Sequence, residues 1–378
     1  MKRASIYFIG IIFLFFSCKK EAVVDNTINL EFTKIYEIDN WENGRGGLLW
    51  ALSFLGAELR KDSLNAAITR LDSTRFSLDL SRVGFSAQAV SALKIINDSL
   101  KRTEEYKIKN SIDLGAFVSL LLGSSEHYYR ITGVERTYAE KLNKHKGEVP
   151  IVFPVSKSVV SKNTRVLKVY NKGAYTNWLF IAEEGVGDIS KNEFKVSAYE
   201  VFDIMPNGQL RFSVYDVEGK IMNGSPQAIS EAGKPAKCLW CHEINIQPLF
   251  ANNDSISGYI SQRQYLNLVK TLMDTLTAAR KKLNSDIDYS KTQDHSLTER
   301  LYVGYMEPSL MKLSKEWNIP AKALKDILKN NRTHNYHDFE FFGDIYYRDS
   351  IIQFAPFKAG IPIFSVREND PREPNFIK

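Results

Sequence analysis

The chain has 378 residues, 44% of them hydrophobic and 12% aromatic, which is enough apolar material for the cores of two or three domains. A charged fraction of 25% and a formal charge of +6, scattered along the chain, give no electrostatic case for nucleic acid, and no such partner is expected. Two of the positive charges, Lys2 and Arg3, fall in an N-terminal leader whose removal leaves +4.

The leader reads MKRASIYFIGIIFLFFSCKK. Its apolar run from Ile6 to Phe16 is shorter than the roughly 20 residues that span a bilayer, but it suits the apolar region of an export signal. The segment Leu14-Phe15-Phe16-Ser17-Cys18 resembles a bacterial lipobox, with Phe16 where a small residue is commoner. That resemblance implies a lipoprotein signal peptide over 1–17, lipidation of Cys18 and a tether over 18–45. The implied location is the bacterial cell envelope, held to a membrane by lipid and facing the periplasm or the cell surface. An ordinary secretory signal cut elsewhere is the alternative. With Cys18 lipidated, only Cys238 and Cys241 remain, so a chain sent to a disulfide-permissive compartment has no disulfide framework.

Residues 46–149 carry a helical period. Leu48, Leu49, Leu52, Phe54, Leu55 and Leu59 share one broad face, and Leu93, Ile95, Ile96 and Leu100 repeat the spacing after a candidate cap at Ser86. The run Leu114 to Leu122 is apolar on most sides and is expected to be buried. His127, Tyr128 and Tyr129 read as a packing cluster at a helix end, and His145, among lysines, as solvent-facing. After Pro150 the period changes to two. Leu210, Phe212 and Val214 alternate with Arg211, Ser213 and Tyr215 behind a Pro206-Asn207-Gly208 turn, so 150–222 reads as an antiparallel sheet within a 150–258 region. From 259 to 335 the helical period returns, first in a long amphipathic helix bearing Tyr265, Leu266, Val269, Leu272, Met273, Leu276 and Leu283. Residues 310–329 could pass for a helix-turn-helix, but in an exported chain they read as two packed helices. The tail, 336–378, is aromatic and proline-rich, a strap. The fold class expected is α+β: an N-terminal helical region, a central antiparallel sheet leading into the cysteine segment, then helices and an extended tail.

Cys238-Leu239-Trp240-Cys241-His242 joins two of the chain's three cysteines to an imidazole. Thiols one helical turn apart can add to the two vinyl groups of a porphyrin while the next residue turns its imidazole onto the iron. A structural zinc would need a second ligand pair, which the sequence lacks, and a redox dithiol would want its first cysteine at a helix start after a parallel strand. The segment CLWCHEINIQPLF resembles the attachment site of c-type cytochromes. That likeness implies one covalent haem c, with thioethers from Cys238 and Cys241, His242 on the iron and Pro248 as an orienting neighbour. Residues 193–250 are also faintly similar, in topology, to the cytochrome P460-like group, where an antiparallel sheet precedes a late C-x-x-C-H.

Function turns on the sixth iron position. The donors available are Met273, His295, Met306, Met311, His334 and His337. Met273 and Met311 follow helical apolar spacing and read as core. Met306 precedes Glu307-Pro308, where the helix must end, and is the first choice, with His295, His334 and His337 as alternatives. A filled sixth position, the leading reading, implies electron transfer with a redox partner protein and no enzymatic reaction. An open one implies a haem oxidoreductase or gas sensor, and a third reading is a surface binding lipoprotein to which the haem is incidental.

Overall fold

The computed structural model describes residues 26–243, 245–291 and 295–378, and of His295 the backbone alone. The expected signal peptide, Cys18 and the His295 ring lie outside the described residues. The class is α+β. Among the described residues ten strands form two sheets. A small mixed sheet contains β1 (Thr27–Glu31), β2 (Ile68–Arg70), β3 (Arg75–Asp79) and β4 (Ile112–Asp113), in the order β2-β3-β1-β4. The larger sheet is an antiparallel meander of β5 (Ile151–Val155), β6 (Thr164–Tyr170), β7 (Leu179–Val186), β8 (Lys195–Ile204), β9 (Leu210–Asp216) and β10 (Ile221–Met222), with neighbours in chain order. Pro154 sits in β5, an edge strand, where its missing N–H costs no ladder bond.

Seven helices fill the first part of the chain: α1 (Trp41–Phe54), α2 (Lys61–Ala67), α3 (Ala87–Lys101), α4 (Glu104–Lys109), α5 (Leu114–Gly123), α6 (Ser125–Thr132) and α7 (Tyr138–Leu142). Ser86 does cap α3, accepting from the Ala89 N–H, and α5 is buried along its whole length, as its uninterrupted apolar run requires. After the large sheet come α8 (Pro235–His242), α9 (Gln262–Arg280), α10 (His295–Met306), α11 (Leu310–Trp317), α12 (Ala321–Ile327) and α13 (Arg348–Ile351). Helix α10 lies against α1 and α5 at close range. Cβ atoms on Gly47 and Gly115 would run into the carbonyl oxygens of Leu297 and Leu301, so two glycines on two helices set the approach of a third.

The reading of 18–45 as a tether gives way at β1, whose Ile28 and Leu30 are fully buried and whose backbone pairs with β3 and β4. The helical region likewise contains β2, β3 and β4. His145 is buried against Tyr170, with ring centroids 5.0 Å apart, rather than solvent-facing. Met311, expected in the core, is exposed, because the buried face of α11 is formed by Leu313 and Trp317. Helices α11 and α12 do pack together, around Leu313, Trp317, Leu324 and Leu328. The tail after α13 is a strap: Ser124 donates to the Pro374 carbonyl at 2.6 Å, and the Phe376 N–H donates to His127 Nε2 at 2.8 Å.

The two faces of the large sheet differ. One buries Leu179, Ile181, Val201 and Tyr215 beneath α7, where Tyr138 stacks on Tyr199 at 4.0 Å. The other belongs to the main core and presents Val169, Phe180, Phe202 and Phe212 in one register row across β6 to β9. The candidate site is on that second face.

Candidate functional site

Helix α8 begins immediately after Lys234, with Pro235 at its first position, where a fixed φ suits the helix and a missing N–H leaves no bond unmade. Eight residues follow before the chain turns sharply at Glu243, a non-glycine residue at φ 48°. Cys238 and Cys241 are therefore one turn apart on the same side of a short helix, and His242 is its last residue. Beyond the turn, residues 245–250 run back across the space that α8 faces. The Ile246 N–H donates to Met273 Sδ at 3.0 Å, and the Gln247 side chain donates to the Cys241 carbonyl, pinning that return segment to α9 and α8.

Between α8, the return segment and the inner sheet face lies a cleft. Cys238, Cys241 and His242 line one wall. Phe202, Phe212 and Leu167 line the sheet side, and Pro248, Phe250 and Tyr265 the far side. Phe250 and Tyr265 close on Phe153 from β5, at 5.4 and 4.8 Å between ring centroids. His242 rests on Phe202 and Phe212 at 5.4 and 5.5 Å.

The chemistry of the three motif residues fits a cofactor held by thioethers and imidazole. Burial pushes the His242 ring down to about 4, so it is neutral at physiological pH, the form that binds a metal. Its Nδ1 is buried with no hydrogen-bond partner, so Pro248 lines the cleft without holding the ring. Both cysteines are free thiols, and burial pushes both upward, Cys238 far beyond the usual thiol range with the Glu200 charge adding to it. A redox dithiol needs the opposite, a thiol stabilised as thiolate at a helix start. Here Cys238 stands in mid-helix after an antiparallel sheet. Among the described residues no group of three or more His, Cys, Asp or Glu is arranged to hold a metal ion.

One end of the cleft is polar. Arg165 on β6 reaches Glu184 on β7 at 2.6 Å and Glu200 on β8 at 3.4 Å, and Ser225 Oγ donates to the other Glu200 oxygen at 2.6 Å. Arg165 and Glu200 line the cleft with the motif residues. A register shift at Glu184/Gly185 bends β7 at this point.

The remaining candidate donors are elsewhere. Met306, at the end of α10, lines a second cleft with Tyr302, Tyr336 and Arg367. His334 stacks on Tyr347 at 3.9 Å, with its Nε2 2.8 Å from a Glu307 oxygen, and His337 is fully exposed. Met273 is half-buried and turned toward the Ile246 backbone. Sequence reading passed over Arg165, Glu184, Glu200, Phe202 and Phe212. The alternation along β8 and β9 carried a signal for Phe202 and Phe212, which share a face with Glu200, but no local pattern marks which charged residues that face will bury.

No protein-family model, curated protein or solved structure matches this chain.

Proposed function

We propose that this chain is a c-type haem protein, carrying one haem in the sheet–helix cleft through thioethers from Cys238 and Cys241 with His242 on the iron. The observation that carries the reading is that α8 presents those three side chains side by side on the wall of an aromatic-lined cleft. The order of antiparallel sheet followed by the motif helix supports the resemblance to the P460-like group. Bound there, haem supplies a one-electron iron couple and a site for a small ligand. The chain's own contribution is to keep the His242 imidazole neutral, to exclude water with Phe202, Phe212, Phe250 and Tyr265, and to set one buried cation, Arg165, at the cleft's edge.

For the sixth position, an opening to a small ligand is the better-supported reading. An electron shuttle closes that position with a thioether or a second imidazole. Among the described donors, Met306, His334 and His337 do not line the cleft, whose walls near His242 are aromatic, and the His295 ring lies outside the described residues. The activity favoured is therefore that of a five-coordinate haem that binds or oxidises a small molecule, with electron transfer second.

Expression in a host with haem-ligation machinery tests both steps. A denaturing gel should show a haem-stained band that survives boiling in the wild type and falls to background in the Cys238→Ala/Cys241→Ala double variant. No band in the wild type overturns the assignment. The reduced protein should change its absorbance on adding carbon monoxide; a spectrum indifferent to carbon monoxide returns the sixth position to a side chain. Anchoring through Cys18 is a separate proposal, resting on the lipobox-like end of the leader. No helix of the described residues is long and apolar enough to cross a membrane, and a lipid anchor requires none. Fed a labelled fatty acid, the wild type should incorporate it and Cys18→Ala should not; equal labelling leaves an ordinary secretory signal.

A further inference from the structure

The polar end of the cleft holds more negative charge than positive. Glu184 is fully buried and Arg165 nearly so, and the single guanidinium faces both carboxylates from the neighbouring strand ladder. With both carboxylates ionised the cluster carries one uncompensated negative charge away from water, a cost of several kcal/mol per ion in real interiors. Two carboxylates that share a site relieve this by holding a proton between them.

Resting on the haem reading above, we propose that Glu184 and Glu200 form a proton-holding pair for the cleft, which takes up one proton as the iron gains an electron and returns it on oxidation. The balance is simple. A one-electron donor reduces the iron from ferric to ferrous, and a proton from water reaches Glu200, the member that lines the cleft. It settles on the pair, while Arg165 keeps its charge. Total charge in the cleft is then unchanged by reduction, which is what a low-dielectric site favours.

The surroundings support the assignment. Desolvation first, and the Glu200 charge second, raise the Glu184 carboxyl to about 8. The groups facing the pair are Arg165 from β6, Ser161 and Ser225 from the connecting segments, the Cys238 thiol from α8 and, near Arg165, His242 and Tyr265. Burial sends the Cys238 and Tyr265 groups above the working range and His242 below it, so none of them competes for the proton near neutrality. Glu183, the neighbour of Glu184, points to the opposite sheet face and pairs with Lys168 at 2.5 Å, so it serves as a control. A carboxyl raised in the folded state contributes stability that is complete at low pH and is lost as pH rises through about 8.

Two measurements on the full chain test the pair. In the haem-loaded protein the midpoint potential should fall with rising pH across neutral and mildly alkaline conditions, approaching about 59 mV per pH unit, the equivalent of a tenfold change in proton concentration for one electron. Glu184→Gln should flatten that slope, Glu200→Gln should flatten or displace it, and Glu183→Gln should leave it unchanged. Infrared spectroscopy at pH 7 should show a protonated carboxyl band in the haem-free protein and in the reduced haem-loaded protein, weaker after oxidation and absent from Glu184→Gln. A haem-stained protein whose potential ignores pH, or a band that persists in Glu184→Gln, overturns the proton pair and leaves the haem assignment standing. Loss of the haem stain overturns that assignment, and the infrared band then tests the pair alone. If Glu184→Gln does not fold, Glu200→Gln with an unaltered slope and band is equally fatal.

Discussion

Replacing Arg348 by methionine should lower the unfolding free energy by about 3–5 kcal/mol, the cost of leaving a buried partner charge alone. Arg348 is 1% exposed although it is one of the largest side chains in the molecule. From α13 its two terminal nitrogens meet the two carboxylate oxygens of Glu316 on α11, both at 2.7 Å. Its Nε donates to the Tyr305 carbonyl on α10, and the guanidinium lies 4.0 Å from the Tyr305 ring centroid. This bidentate fork is the geometry at which arginine outperforms lysine. Removing it strands the Glu316 carboxylate, 6% exposed, close to a second buried pair, Lys312–Asp113 at 2.5 Å. Urea unfolding should show a lower midpoint with an unchanged slope. Arg348→Met/Glu316→Leu should recover much of the loss, since a well-packed apolar pair can match a buried ion pair. A single variant that costs less than about 1 kcal/mol, the ordinary range of surface pairs, would show that water reaches the pair.

Arg348 also shows where sequence reading stops. Nothing local distinguishes it from an exposed arginine in a polar stretch, and its partner lies 32 residues away. The large sheet was legible because its alternation is regular, its turn residues are standard and its strands pair with chain neighbours. The small sheet was not. Its strands are two to five residues long, and β1 pairs with segments far along the chain, so the apolar pair Ile28 and Leu30 looked like part of a polar tether. Helices declared themselves through period and caps, while exposure within a helix did not always follow: Met311 has core spacing but faces water.

The candidate site divides in the same way. Cys238, Cys241 and His242 were legible because the haem attachment proposed for them requires them to be adjacent. The walls of the cleft come from β6 to β9, the return segment and α9, a convergence set by the fold rather than by any spacing. Choosing a sixth ligand from a helix end beside a proline used a local signal for a distant relation. Met306 does sit at that helix end, but the face of α10 that carries it turns to the second cleft. Glu184 and Glu200, sixteen residues apart in sequence, are brought to one guanidinium, Arg165 of β6, by the pairing of β6, β7 and β8.

Lys234 ties the motif helix to the rest of the molecule, and Lys234→Met should also cost about 3–5 kcal/mol. The side chain is fully buried at the residue from which α8 starts. Its ammonium donates to the Gly123 carbonyl at the end of α5 and to the Ser365 carbonyl of the strap, each at 2.9 Å, and lies 3.0 Å from a Glu373 oxygen. Burial lowers its proton affinity, with the Glu373 charge opposing that shift. Glu373 accepts from the Ser125 and Glu126 N–H groups at the start of α6, so one buried ion pair joins α5, α6, the strap and α8. Methionine fills much of the volume but satisfies none of the three acceptors, and it leaves the Glu373 carboxylate, 5% exposed, without its cation. The expected result is a lower urea midpoint together with faster proteolytic trimming of the strap, because the strap then loses the buried cation that ties Ser365 and Glu373 to the start of α8. Lys234→Met/Glu373→Gln should regain part of the stability by removing the stranded charge. A single variant with unchanged midpoint and an unchanged trimming rate would mean that α8 and the strap are held by packing alone.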